Sequence, residues 1–267
     1  MAKVARISKL QDFKNSDQKF ACLTTYDRFT AEIFDQAGVD VLLVGDSAAE
    51  NHLGHESVLA ITLDEMIMLG KSVTAAAKSA LVVVDMPFGS YEASPEEAVR
   101  NATRIMKETG AAAVKLEGGR RSANAISRIV EAGVPVMGHI GFTPQSVHAL
   151  GGFKVQGRGE KADEVVAEAL AVQAAGAFAV VLELIPDELA ARITSELNIP
   201  TIGIGAGSAT DGQVLVWTDF AGLSGGKQRK FVRKYLELRE LLGTAAADYV
   251  KDVKSGAFPS KSESFEN

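Results

Sequence analysis

Two textures alternate along this chain. Short apolar runs rich in valine, isoleucine and alanine have the pattern of strands buried in a parallel sheet: Phe20–Thr24, Asp40–Val44, Leu81–Asp85, Ala113–Glu117, Pro135–His139, Ala179–Glu183, Thr201–Gly205 and Gln213–Val216. Between most of them lie longer stretches with helical spacing, over Asp27–Ala37, Thr62–Ala77, Ser94–Thr109, Ala123–Ala132, Ala162–Ala175 and Asp187–Leu197, and a last one from about Lys227 to Lys254. Several helices carry their own boundary signals. Thr62-Leu63-Asp64-Glu65 is a Thr-x-x-Glu capping box, and Ser94-Pro95-Glu96-Glu97 joins an N-cap serine to proline at the first helical position and two early acids. Gly38, Gly110, Gly133 and Gly176 each follow a helix and precede a strand, where helix-ending glycines belong.

Repeated strand–helix units predict a parallel sheet with helices outside it. Eight strands over about 250 residues match a closed (β/α)8 TIM barrel with outer helices better than an open doubly wound sheet. The interval from Thr201 to Gln213 leaves room for only a very short seventh helix. Without a linker, tandem repeat or low-complexity stretch, residues 1–267 read as one barrel domain with a short N-terminal extension and a loosely structured tail from about Ser255.

Composition narrows the class. The 267 residues are 46% hydrophobic and 23% charged, enough for a sizeable core and incompatible with full-length disorder. Net charge is −6, from 28 basic and 34 acidic residues, with no basic face for a nucleic acid. No apolar run reaches the roughly 20 residues of a bilayer helix, and Met1–Arg6 leads into polar sequence rather than an apolar signal core. Cys22, the sole cysteine, excludes an internal disulfide and a multi-cysteine zinc site; its apolar strand makes it a core residue rather than a nucleophile. The expectation is a cytoplasmic globular protein without membrane or nucleic-acid partners.

The candidate chemistry lies where the apolar runs stop. Val41-Leu42-Leu43-Val44 ends at Gly45-Asp46-Ser47, Leu81–Val84 at Asp85, Ala111–Val114 at Lys115-Leu116-Glu117, Val134–Gly138 at His139, and Phe178–Leu182 at Glu183. A single charge at a strand end is often just the first solvated residue of a loop. Successive strands all presenting ionisable groups at their carboxyl ends point to the barrel mouth where active sites are built. Lys115 and Glu117 are two apart, so they share one face of their strand. Asp46, Asp85 and Glu117 together would repel unless a cation or protons intervened. Oxygen ligands without cysteine favour a hard cation such as Mg²⁺. A 2-oxo acid would suit such an ion, which would stabilise the enolate formed on proton loss beside the carbonyl; Glu183 or His139 would serve as base. The glycine-rich Gly203–Gly207 reads as a tight turn rather than a phosphate loop. Gly151–Gly159 reads either as a lid carrying a cation or as a mobile connection.

The segments Val44–Ser47, Asp85–Phe88, Val114–Gly119, Gly138–Ser146, Gly151–Gly159, Leu182-Glu183 and Gly203–Gly207 followed by Thr210–Gln213 occur in order. Together they closely resemble the ketopantoate hydroxymethyltransferase (3-methyl-2-oxobutanoate hydroxymethyltransferase) family, from about Thr24 to Phe265. The resemblance implies a Mg²⁺-dependent hydroxymethyltransferase of pantothenate and coenzyme A biosynthesis, assembled as a homodecamer. Its reaction passes a hydroxymethyl group from 5,10-methylenetetrahydrofolate to 3-methyl-2-oxobutanoate, giving 2-dehydropantoate and tetrahydrofolate. Carried over by position, it implies Asp46, Asp85 and Glu117 at the metal, and Asp46, Ser47, Asp85 and Lys115 on the oxo acid. It further implies Glu183 as the catalytic proton acceptor and His139 as an orienting group in the substrate pocket. The chain departs from the family pattern at Ala48–Asn51 and at Glu263, where a histidine is common. Two rivals are a lyase or mutase of the isocitrate lyase and phosphoenolpyruvate mutase kind, and a non-catalytic oxo-acid-binding descendant. The first lacks its Lys-Lys-Cys-Gly-His stretch here, and the intact acids, lysine and Glu183 argue against the second.

Overall fold

Eight parallel strands close on themselves in sequence order: β1 Phe20–Thr24, β2 Val41–Val44, β3 Leu81–Asp85, β4 Ala113–Glu117, β5 Val136–Gly141, β6 Ala179–Glu183, β7 Thr201–Ile204 and β8 Gly212–Leu215, with β8 pairing back to β1. This computed structural model describes residues 6–226 and 228–265. The leading segment Met1–Ala5 and the expected start of the last helix at Lys227 lie outside the described residues. Where the pattern reads as one domain, residue contacts group the chain into two units, Met1–Val216 and Trp217–Asn267.

The first unit holds the barrel. Its helices are α1 Ile7–Asn15, α2 Arg28–Gln36, α3 Ala48–Asn51, α4 Leu63–Thr74, α5 Pro95–Thr109, α6 Ala123–Glu131, α7 Ala162–Ala174 and α8 Asp187–Glu196. Among these, α2, α4, α5, α6 and α7 pack against the strands from outside, so those strands are buried on both faces and carry no alternation. The expected caps form: Thr62 and Glu65 make a reciprocal capping box, and Ser94 accepts from Glu97 N–H ahead of Pro95. Asp27 also caps α2, accepting from the amides of Phe29 and Thr30. No helix separates β7 from β8. Thr210 and Asp211 hold that short connection, the Asp211 carboxylate accepting from the amide and hydroxyl of Thr201 at 2.8 and 3.0 Å. The amphipathic α1 and the four-residue α3 went unpredicted.

The second unit contains α9 Trp217–Phe220 and α10 Leu238–Ser255. The last helix therefore begins eleven residues later than its spacing predicts, counting from Lys227 to Leu238. The reason is tertiary: the amides of Tyr235 and Leu238 donate to the carbonyls of Phe220 and Ala221, and the Phe220 and Tyr235 rings pack at 5.1 Å. Those amides are thus taken from any helical ladder. Beyond α10 the tail is not featureless, because Lys261–Glu263 form a turn that Ser260 and Glu263 cap reciprocally.

Candidate active site

Parallel register brings the strand-end groups side by side. Asp85 on β3 pairs with Lys115 on β4, Glu117 with His139 on β5, and Gly141 with Glu183 on β6. Alternation along β4 turns both Lys115 and Glu117 toward these neighbours, as their spacing predicts. Gly141 has φ +88°, and a Cβ there would collide with the carbonyl oxygen of Glu183. Glycine lets β5 close on β6 and Phe142 N–H donate to that carbonyl at 2.8 Å. Leu184, directly after Glu183, has the left-handed φ of 47° and turns the chain away from the strand.

The result is a charged cluster almost without solvent. Asp46, Asp85, Lys115, Glu117, His139 and Glu183 are each at most 7% exposed. Lys115 Nζ lies 2.5 Å from Asp85 Oδ2 and 4.0 Å from Glu117 Oε1. The His139 ring stands between two acids, with Nδ1 3.3 Å from Glu117 Oε1 and Nε2 3.3 Å from Glu183 Oε2. The Asp46 amide donates to Asp85 Oδ2 at 3.4 Å. Ser47 is half-buried beside them and shares a hydrogen bond of 2.8 Å with the Tyr26 hydroxyl, which also accepts from Thr24. The structure thus gathers every residue singled out at the strand ends.

Burial and charge split the titration of these groups. Burial, then the neighbouring Asp85 carboxylate, pushes Asp46 up to about 8. Asp85 is likewise raised by burial, against the opposing pull of Lys115. Burial acts to raise Glu117 too, but His139 and Lys115 outweigh it and hold this acid below its ordinary range. Burial and Lys115 oppose the charge on His139, yet contacts with Glu117 and Glu183 lift it to about 9. Lys115 is held charged above its usual value despite burial, by Asp85, Asp46 and Glu117.

The donor set fits a magnesium ion. Asp46 and Asp85 leave adjacent strands into one cluster, and buried Asp85 Oδ1 has no hydrogen-bond partner. Among the described residues no three Asp, Glu, His or Cys side chains form a complete metal cage. Mg²⁺ does not need one, since one or two carboxylates commonly hold it while water and substrate oxygens complete the shell. Glu117 is engaged elsewhere, with Oε2 accepting the Gln145 amide at 3.0 Å and Oε1 facing His139 and Lys115.

Sequence reasoning missed three residues of this site. Tyr26 braces Ser47, and Tyr91 and Gln145 brace the acids. None is ionised and none ends a strand, so the feature that marks the others is absent, although Gln145 lies within the Gly138–Ser146 segment that carries the family resemblance. The Gly203–Gly207 segment is a turn, with Gly205 and Gly207 in left-handed conformations. A cavity of about 360 Å³ beside the β7–β8 connection, lined in part by Lys19, Gly207 and Asp211, contains none of the clustered groups. Cys22 is buried in β1, and burial raises its thiol well above its usual value, as suits a core residue.

A parallel eight-stranded barrel whose mouth buries ionisable groups from successive strands around one lysine and one histidine is the arrangement of a barrel enzyme, with its active site at the carboxyl ends of the strands. Comparison with known proteins makes this specific: a model of the ketopantoate hydroxymethyltransferase family matches residues 4–261, and the chain belongs to that family. It is 59% identical to the 3-methyl-2-oxobutanoate hydroxymethyltransferase of Corynebacterium efficiens, covering 99% of this chain and 98% of that protein. It is 57% identical to the enzyme of the same name from Corynebacterium glutamicum, with the same two coverages. Among solved structures, a putative phosphonomutase from Burkholderia cenocepacia superposes with TM-score 0.66 at 17% identity, covering 91% of this chain and 99% of that one. A phosphoenolpyruvate phosphomutase from Streptomyces platensis gives 0.65 at 14% identity, covering 94% and 88%. These two share the barrel fold. No helix among the described residues is long and apolar enough to cross a membrane.

Proposed function

We propose that this chain transfers a hydroxymethyl group from 5,10-methylenetetrahydrofolate to 3-methyl-2-oxobutanoate, giving 2-dehydropantoate and tetrahydrofolate. Membership of the family supports the reaction. The observation that carries the mechanism is the His139 ring set between Glu117 and Glu183, in a buried cluster that also contains Asp46, Asp85 and Lys115.

Asp46 and Asp85 would hold Mg²⁺, with Glu117 as the third acid nearby. A magnesium ion bound there supplies Lewis-acid polarisation of the keto group. Lys115 and Ser47 hold the oxo acid, and the buried ammonium favours the negative charge that grows on the keto oxygen as C3 loses its proton. Glu183 accepts that proton. His139 fixes the Glu183 carboxylate through Nε2 and is itself oriented by Glu117 through Nδ1, so the base keeps its position while its charge changes. The C3 carbanion equivalent attacks the methylene carbon of the opened folate iminium, forming the new C–C bond. Water then releases tetrahydrofolate and leaves the hydroxyl on the transferred carbon. The buried site limits water access before the second substrate binds. We further read the assembly as a homodecamer and the compartment as the cytoplasm.

The test is direct detection of 2-dehydropantoate by mass spectrometry after incubation with both substrates, in Mg²⁺ and in chelator. Metal-dependent product is expected. No product from folded, assembled protein would overturn the reading, and product of equal yield in chelator would overturn the metal's part in it.

A further inference from the structure

Two acids of the cluster, Asp46 and Glu117, are bridged by a residue that is neither acidic nor on a strand. Gln145, at 4% exposure, sits in the turn after β5 and makes four hydrogen bonds inside the site. Its side-chain amide nitrogen donates to Asp46 Oδ2 at 2.9 Å and to the Met86 carbonyl at 3.0 Å. Its side-chain oxygen accepts from the Tyr91 hydroxyl at 2.6 Å, and its backbone N–H donates to Glu117 Oε2 at 3.0 Å. The Tyr91 hydroxyl in turn accepts from the Glu117 backbone N–H at 3.3 Å. Tyr91 is itself buried.

This chemistry fixes the amide one way round. Reversed, it would set oxygen against the carbonyl of Met86, an acceptor that cannot donate. The Tyr91 hydroxyl spends its single proton on the amide oxygen and receives the Glu117 N–H on a lone pair, so every strong donor in the chain is used. One residue therefore touches Asp46 from β2 and Glu117 from β4, through different atoms, and Tyr91 locks its orientation. Each acid has one oxygen engaged by Gln145, a constraint on carboxylate rotation of the kind that tunes metal sites from outside the ligand shell.

We propose that Gln145, braced by Tyr91, is the positioning residue that sets the orientation of Asp46 and the spacing of Asp46 from Glu117, and thereby the divalent-cation affinity of this site. The proposal rests on the reading of the cluster as a metal site. Its consequence is specific to the side chain: the backbone N–H to Glu117 survives substitution, so of the two acids loss of the amide frees only Asp46.

The test is Mn²⁺ binding to the full chain without substrates, followed by electron paramagnetic resonance, in the unsubstituted protein, Gln145→Met and Tyr91→Phe. Methionine keeps approximate length and burial but offers no amide. The expected result is affinity weakened by about tenfold or more in Gln145→Met, the scale for losing a partner of a metal-bound side chain. A smaller loss is expected in Tyr91→Phe, where the amide remains but is no longer locked. Thermal unfolding of the metal-free proteins separates positioning from folding. If Gln145→Met is too unstable to assay, Tyr91→Phe decides alone: weakened Mn²⁺ binding at unchanged metal-free melting temperature supports the proposal, and unchanged binding overturns it. Unaltered affinity in both variants, with normal binding by the unsubstituted protein, overturns the positioning role only. No saturable Mn²⁺ binding by the unsubstituted protein overturns the metal reading beneath it.

Discussion

Replacing Lys115 with methionine should do more than weaken substrate binding; it should expose how the metal-free cluster is held together. The Lys115 ammonium is 4% exposed and lies 2.5 Å from Asp85 Oδ2, with Glu117 Oε1 at 4.0 Å. It is the lysine within this cluster of buried acids, while the other cation, His139, is committed to Glu117 and Glu183. Removing one partner of a buried ion pair leaves an uncompensated charge and typically costs about 3–5 kcal/mol, well beyond the gain from the pair itself. For a chain of this size that loss lowers the melting temperature by on the order of 10 °C. A divalent cation can replace the missing positive charge beside Asp85, so the deficit should shrink in saturating Mg²⁺, whereas the unsubstituted protein should gain less from the ion. The assay is thermal unfolding at fixed protein concentration, in chelator and in Mg²⁺. A Lys115→Met protein that melts within about 2 °C of the unsubstituted one in chelator, less than 1 kcal/mol for this size, would refute the reasoning. So would a deficit that Mg²⁺ leaves unchanged.

Two further predictions concern His139 and Glu183. The His139 imidazole is lifted from its ordinary 6.5 to about 9 by its two carboxylates. Its contribution to stability is therefore complete below about pH 6.5 and lost as pH rises through 9. Metal-free protein should lose melting temperature between pH 6.5 and 9 more steeply than His139→Gln, and parallel curves would remove the imidazolium from that role. Burial of Asp46 works in the same direction at lower pH, so the difference between the proteins, not the slope of either, is the measurement. Glu183→Gln should keep Mn²⁺ binding but lose about 10²- to 10⁴-fold in turnover, the usual worth of a positioned base. Turnover within threefold of the unsubstituted enzyme would take Glu183 out of the proton transfer.

The barrel was legible because its strands carry redundant signals. Runs such as Leu81–Val84 and Ala179–Leu182 have little polar content to mislead, and caps at Thr62 and Ser94 fix where the intervening helices start. The errors fell where local pattern competes with tertiary hydrogen bonding. The stretch before Leu238 has helical spacing, but the carbonyls of Phe220 and Ala221 claim its amides instead. The short α3 is too brief for periodicity to reveal.

The site was legible to the extent that it is ionic and on strands. Asp85, Lys115, Glu117, His139 and Glu183 announce themselves because one charge ending an apolar run is an ordinary loop residue, whereas successive strands all ending that way are not, and parallel register does the rest. Asp46 follows by the same logic two residues beyond the end of β2. What spacing cannot supply is the third dimension around those charges. Gln145 and Asp46 are 99 positions apart and meet only because the turn after β5 folds over the mouth toward β2. Tyr91 reaches Gln145 across 54 positions from the loop after β3. An amide and a phenol in loops look the same in sequence whether they face water or brace a carboxylate; only burial distinguishes them, and here both are buried. The charges of this site are thus written in the strands, while the constraint on where those charges point is written in the loops. On the proposed metal reading, a substitution confined to a loop therefore changes divalent-cation affinity without touching any group that the strand pattern marks as functional.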